Sequence, residues 1–248
     1  MKAMVLAAGL GTRLRPLTDS KPKALVEIGG RTLLEIALAR LRGFGIREVI
    51  VNVHHFADMI VDYLRANRNF GMRIEVSRED VLLDTGGGLK KAAWFFLEGS
   101  APGDQAFLLH NVDVVSTIDF ARIVELHGHS GALATLAVQN RQTRRCLLFD
   151  DTAKLCGRRD GTSGKDEIVR RATSRQALAF CGVHVISTRF LPMIEQEGVF
   201  SIIDTYLNLA AKGEKILAFR ADEYYWRDLG KPEDLAQASR DFEQRIFG

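Results

Sequence analysis

A short apolar run, Ala3-Met4-Val5-Leu6-Ala7, leads directly into Ala8-Gly9-Leu10-Gly11-Thr12-Arg13-Leu14-Arg15-Pro16, and Lys21-Pro22-Lys23 follows closely. Two glycines let the main chain approach an anion, successive N–H groups can face phosphate oxygens, and Arg13, Arg15, Lys21 and Lys23 bring positive charge to the same place. The stretch reads as a phosphate-holding loop whose natural occupant is a triphosphate. The same punctuation also serves ligand-free turns between a strand and a helix. Two familiar nucleotide loops are excluded. A P-loop needs Gly-Lys-Ser/Thr where Arg13 and Leu14 stand, and a dinucleotide fingerprint needs a small third residue where Leu14 stands, with Pro16 resisting entry into a helix.

Carboxylates are the second chemical signal. Asp113 sits between two valines at the C-terminal end of the apolar strand that contains Phe107, Leu108 and Leu109. In open α/β sheets ligands bind at that end of the strands, although an Asp there can also cap a helix starting near Thr117. Asp228 belongs to a turn rich in Tyr, Trp and Arg, far away in the chain. Spacing alone does not bring the two together. The adjacent pair His54-His55 has metal-binding chemistry, but neighbours on an extended chain point to opposite sides.

These residues need a scaffold, and the chain alternates strand and helix patterns to supply one. Thr32 is placed to cap a helix whose apolar stripe is Leu34, Ala37, Leu38 and Leu41, ended by Gly43 and Gly45. A β-branched run over 48–53, a helix near 57–66, a strand over 72–76, a loop over 83–88 and a helix from 89 to about 97 follow. The expected class is α/β, a doubly wound, mostly parallel sheet with helices on both faces. Strands over 132–138, 146–150 and 177–185 make the next part β-rich, with a polar, mobile excursion over 158–175. Helices over 188–197 and 201–212, a strand over 215–219 and a helix from near Pro232 complete the pattern.

The chain has 248 residues, enough for one domain with a substantial core. Its 34 basic and 31 acidic residues leave a net charge of +3, which argues against nucleic acid as a partner, and the basic cluster at Arg141 to Arg145 reads as a solvated turn. No apolar run reaches the roughly 20 residues of a membrane span, and the start reads as core strand rather than signal sequence, so a cytoplasmic protein is expected. Cys146, Cys156 and Cys181 are odd in number and widely spaced, as buried free thiols are.

The string from Leu6 to Leu25, Leu-Ala-Ala-Gly-x-Gly-Thr-Arg-Leu-x-Pro-Leu-Thr followed by Pro-Lys-x-Leu, resembles the signature of the sugar-1-phosphate nucleotidylyltransferases. Asp84-Thr85-Gly86-Gly87-Gly88 looks like that family's nucleobase-contacting turn, Asn111-Val112-Asp113 like its Asn-Gly-Asp metal motif, and Trp226 to Pro232 like its later Trp-x-Asp-x-Gly-x-Pro motif. Phe180-Cys181-Gly182-Val183 resembles the sugar-side strand. The resemblance implies a Rossmann-like fold, with residues 1–131 binding nucleotide and 132–248 holding the sugar and the second metal carboxylate. It also implies Mg²⁺-dependent transfer of a nucleotidyl group from a nucleoside triphosphate to a sugar 1-phosphate, releasing pyrophosphate.

On this resemblance the nucleotide would be held by Leu6, Ala7, Ala8, Gly9, Gly11, Thr12, Arg13, Lys23, Asp84, Gly87 and Gly88. Arg13 would steady the β,γ-phosphates and Lys23 the reacting phosphate, with Asp113 and Asp228 on Mg²⁺. Asn111, Gly182 and Asp204 are the candidates for the sugar. The short chain leaves no room for a long C-terminal repeat domain and looks most like the N-acetylmuramate-1-phosphate uridylyltransferases and the small guanylyltransferases for mannose or heptose 1-phosphate. UTP is favoured over GTP. Two departures stand out: Val112 replaces a Gly, and the family's Glu-Lys-Pro lysine has no counterpart except Lys154 or Lys165. They leave a non-catalytic, nucleotide-sugar-binding protein as the alternative of another class.

Overall fold

The computed structural model describes residues 1–98, 103–161 and 163–244. In chain order the strands are β1 (Lys2–Leu6), β2 (Glu27–Ile28), β3 (Arg31–Thr32), β4 (Glu48–Val53), β5 (Arg73–Arg78), β6 (Ala106–Asn111) and β7 (Val114–Ser116). After them come β8 (Ala134–Gln139), β9 (Cys146–Phe149), β10 (Leu155–Arg159), β11 (Asp166–Ile168), β12 (Gln176–Ser187), β13 (Ile216–Arg220) and β14 (Trp226–Asp228). The helices are α1 (Leu33–Gly43), α2 (Ala57–Ala66), α3 (Asp84–Lys91), α4 (Ala93–Leu97), α5 (Phe120–Ser130), α6 (Ile202–Ala211) and α7 (Pro232–Glu243).

The central sheet runs β5-β4-β1-β6-β12-β8-β13, and β12 alone runs against its neighbours. Side chains alternate along the strands between two cores. Ala3, Val5, Val49 and Val51 join the core that includes Leu34, Leu38 and Leu41 of α1, whereas Met4 and Ile50 join the core of Phe95, Phe96 and Tyr206 on the opposite face. This is the doubly wound, mostly parallel α/β arrangement that the strand and helix patterns imply. The N-terminal part of β12, Gln176–Leu178, instead pairs with β9, which continues antiparallel into β10 and β11.

Thr32 caps α1 as its position requires, its hydroxyl accepting from the Glu35 amide at 3.0 Å. Four local expectations fail. Residues 83–88 are not a loop: α3 begins at Asp84 and contains all three glycines. Glycine in a helix costs about 1 kcal/mol relative to alanine, yet here no larger residue fits. A Cβ on Gly86 would meet the Phe200 ring, one on Gly87 the Gly198 carbonyl, and one on Gly88 the Asn52 and Glu79 side chains at 2.8 Å. The glycines are there for close packing.

The helix expected over 188–197 is a 3-10 turn over Thr188–Met193, with Pro192 inside it. The excursion after Arg158 is partly ordered, because β11 pairs with β10 and Arg159 bonds Asp166 at 2.8 Å; Thr162 lies outside the described residues. Arg141 likewise leaves the solvated turn, its guanidinium stacking 3.8 Å over the Trp226 ring. No helix among the described residues is long and apolar enough to cross a membrane.

Candidate active site

The loop after β1 is shaped by Gly11, whose φ of 66° is left-handed and whose carbonyl accepts from the Thr18 hydroxyl at 2.9 Å. A side chain at Gly11 would press on Thr18 and Lys23. The loop is anchored at its other end by Asn52, whose Oδ1 accepts from the Ala7 amide at 2.8 Å. Asn52 in turn donates to Glu79 Oε1 at 2.7 Å, and Glu79 Oε2 accepts from the Leu83 amide at 2.9 Å. A polar chain thus crosses the ends of β1, β4 and β5 and joins the glycine loop to the start of α3.

Beside the loop opens a cavity of about 420 Å³. Leu6, Ala8 and Gly9 form its loop wall, Lys23 and Asp113 its charged wall, and Asn111 the end of β6. Asp84 and Thr85 at the start of α3 also reach it with Leu82, together with Asn52 and Val199, which no motif marks. Asn52 carried a usable signal, an amide inside a β-branched run at the C-terminal end of a parallel strand, but the following histidines drew attention away. Those histidines diverge: His54 Nδ1 meets the Glu79 carbonyl at 2.8 Å, and the His55 ring packs on Phe56.

Asp113 and Asp228 are brought together by a two-stranded ribbon in which Asp228 of β14 pairs opposite Val114 of β7. Lys23, only 7% exposed, forms an ion pair with Asp113 Oδ2, and Arg13 Nη2 lies 4.0 Å from Asp228 Oδ1. Asp228 Oδ1 also accepts from the Gly230 amide at 3.0 Å. Burial and then the neighbouring Asp113 charge push the Asp228 carboxyl above its ordinary range, against the pull of Lys23 and Arg13.

The donor set fits a hard divalent cation. Two carboxylates meet, and no cluster of three or more His, Cys, Asp or Glu that could hold a metal occurs among the described residues, so an ion here would take further oxygens from phosphates and water, as Mg²⁺ usually does. Asp113 and Asp228 offset Lys23 and Arg13, so a divalent ion here would add positive charge beside a triphosphate.

Ala7, Thr12, Arg13, Gly87, Gly88, Gly182 and Asp204 are not in the cavity wall, whereas Asn111 and Val112 are. Ala7, Gly87 and Gly88 are buried, Thr12 and Arg13 are exposed at the loop. Gly182 has a φ of 71° at an irregularity of β12, where a Cβ would approach Asn111 Nδ2 at 2.9 Å and Val114 at 3.0 Å. Asn111 Oδ1 is buried without a partner among the described residues. Asp204 is held by Arg158 Nη1 at 2.6 Å, away from the cavity wall, and neither Lys154 nor Lys165 lines the cavity. Val112 is accommodated because it is 5% exposed and packs into the α1-side core.

The fold and the paired carboxylates beside a glycine loop define a nucleotide-handling α/β enzyme, and comparison with known proteins agrees. Residues 2–145 match the nucleotidyl transferase family. N-acetylmuramate alpha-1-phosphate uridylyltransferase of Caulobacter vibrioides is 34% identical over 242 residues, 93% of this chain and 92% of that protein. Mannose-1-phosphate guanyltransferase of Yarrowia lipolytica is 27% identical over 239 residues, and the match spans 95% of this chain but 62% of that longer protein. HddC from Yersinia pseudotuberculosis, solved in complex with GMP-PN, superposes with a TM-score of 0.74 at 23% identity, covering 97% of this chain and 99% of that one. The chain belongs to the nucleotidyl transferase family.

Proposed function

We propose that this enzyme transfers a nucleotidyl group from a nucleoside triphosphate to a sugar 1-phosphate, with UTP and N-acetylmuramate 1-phosphate as the favoured pair. The observation that carries the reaction class is the convergence of Asp113, Asp228 and Lys23 beside the glycine loop. The choice of pair rests on the relative matched over nearly the full length of both proteins.

In this reading an oxygen of the sugar phosphate attacks the α-phosphorus, the bond to the β-phosphate oxygen breaks, and pyrophosphate leaves. Such transfer depends on alignment and charge neutralisation more than on a protein nucleophile. Amides of Ala8, Gly9, Gly11 and Thr12 face the phosphates, Arg13 meets the leaving pyrophosphate, and Lys23 turns its ammonium from Asp113 toward the α-phosphate. Asp113 and Asp228 would hold Mg²⁺, which when bound neutralises phosphate charge. Leu82, Asp84 and the start of α3 border the base, while Asn111 offers its unpaired Oδ1 to a sugar hydroxyl near Gly182. Residues 1–131 serve mainly the nucleotide, with Asn111 reaching the sugar, and 132–248 supply the rest of the sugar side and the second carboxylate.

The test is pyrophosphate release with Mg²⁺ across UTP, GTP, dTTP, CTP and ATP, each with N-acetylmuramate, mannose, heptose and glucose 1-phosphates. Release that requires both UTP and the muramate sugar is the expected result. GTP with mannose or heptose 1-phosphate would favour the guanylyltransferase reading suggested by the second relative. Turnover with no pair would favour a protein that binds nucleotide sugars without catalysis.

A further inference from the structure

A second cavity, of about 350 Å³, lies at the end of β7 away from Asp113. Its wall includes Arg31, Arg40, Ser116 and Thr117, with Ile36 and Ala39 of α1 forming an apolar side. Arg40 is largely enclosed and donates to the Ser116 carbonyl, to Ser116 Oγ at 2.7 Å and to the Ile118 carbonyl at 2.7 Å, while its guanidinium lies 4.5 Å over the Phe120 ring. None of these acceptors is a carboxylate, and among the described residues no carboxylate pairs with Arg40. Arg31, at the rim, is already balanced by Glu35 at 2.9 Å. Arg40 is therefore a charge without a counter-ion, which is costly to bury and attracts an anion.

The hydroxyls point the same way. Ser116 Oγ accepts from Arg40, and Thr117 Oγ1 accepts from the Tyr225 amide at 3.0 Å. Each hydroxyl is the acceptor in these bonds, so its proton remains to be donated. The cavity thus offers guanidinium and hydroxyl donors on one side and aliphatic carbon on the other. A ligand matching it has an acceptor-only, charged head and a less polar remainder.

We propose that this cavity is a second binding site, for the phosphate group of a small metabolite, and that its occupation acts on nucleotidyl transfer through the β7–β14 ribbon. Ser116 ends the strand that Asp113 immediately precedes, and Ser116 pairs with Trp226 in the same ladder that pairs Val114 with Asp228. A ligand that pulls on Ser116 and Thr117 therefore bears on the segment carrying both carboxylates. The inference does not depend on which base or sugar the first cavity takes.

The test uses the full chain, Arg31→Glu and Ser116→Ala, with melting temperatures confirming that each variant folds. Calorimetric titration with UDP or GDP should reveal two classes of site in the wild type, and each variant should weaken the second class roughly tenfold or more, Ser116→Ala by removing a hydroxyl donor to the anion and Arg31→Glu by placing negative charge at the rim, while keeping the first. Inorganic phosphate, added at saturating substrates, separates the sources. A change in kcat or KM of about fivefold or more with phosphate alone, absent in both variants, identifies the anion as sufficient; the same change with UDP or GDP only makes the organic part necessary. One class of site in the wild type, or a second class unaltered in both variants, overturns the proposal.

Discussion

The Leu229 amide donates to the Asp113 carbonyl at 2.8 Å, which locks the main chain next to one acidic residue against the main chain beside the other. Two segments remote in sequence are thereby fixed at the mouth of the glycine loop. The main chains that carry Asp113 and Asp228 are therefore held side by side, close enough for the Asp113 charge to act on Asp228.

On the proposed role of both carboxylates at one ion, Asp113→Asn and Asp228→Asn are each expected to lower turnover by about 10²-fold or more with the fold intact, and the double variant to lose less than the product of the two. Single-turnover rates, with circular dichroism as the folding control, check this. Near-normal Mg²⁺-dependent turnover in either single variant would remove that residue from the ion's ligand set.

Arg13 is exposed and only loosely paired with Asp228, whose Oδ1 keeps the Gly230 amide when Arg13 is removed. Arg13→Ala is expected to fold normally and to slow transfer by about 10²-fold, as loss of a contact that tightens in the transition state does. If kcat/KM for the triphosphate stays at the wild-type value, the loop is only a turn.

Asn52 is expected to be a stability residue as well as part of the cavity wall. Asn52→Ala strands the Ala7 amide and removes a donor from Glu79, which is 4% exposed. A loss of about 1–3 kcal/mol follows from leaving such groups unpaired. Urea unfolding should register it as a lower midpoint with an unchanged slope. An unaltered midpoint would mean that water replaces the amide without cost.

Three histidines, His110, His127 and His184, set an acid limit on the fold, and burial lowers His110 to about 4. His127 is held between Thr135 Oγ1 at 3.0 Å and Ser187 Oγ at 3.1 Å, and His184 meets the Tyr206 hydroxyl at 2.7 Å. Burial lowers their pKa values to about 4 and about 3. An unfolded histidine titrates near 6.5. Below that pH the unfolded chain binds protons that the native state refuses, so stability falls as pH drops from about 6.5 toward 4. Denaturation midpoints at pH 7, 6, 5 and 4 should decline, and His184→Gln should flatten the decline. A flat wild-type profile over that window would show that the histidines are hydrated in the native state.

Much of the scaffold was legible because it follows from local chemistry. The cap at Thr32, the stop at Gly43 and the alternation of Ala3, Met4 and Val5 each need only neighbours in the chain. Asp113 stood out because a carboxylate at the end of an apolar strand needs a reason. Its meeting with Asp228 was not legible, since it is made by a ladder of three residue pairs between distant segments. The triple glycine misled for a physical reason: low helix propensity favours a loop until tertiary packing against Phe200 and Gly198 requires the absence of side chains. Nothing in the helix pattern of α1 sets Arg40 apart, and only the fold brings Ser116 and Ile118 to its guanidinium.

The pairing of Lys23 with Asp113 has a kinetic consequence. With Arg13 near Asp228 as well, the ligand-free centre is close to electrically neutral, and it sits in a chain whose net charge is only +3. Such a mouth does not steer a polyanion from a distance. Nucleotide association should therefore run at an ordinary, unsteered rate and change little with ionic strength.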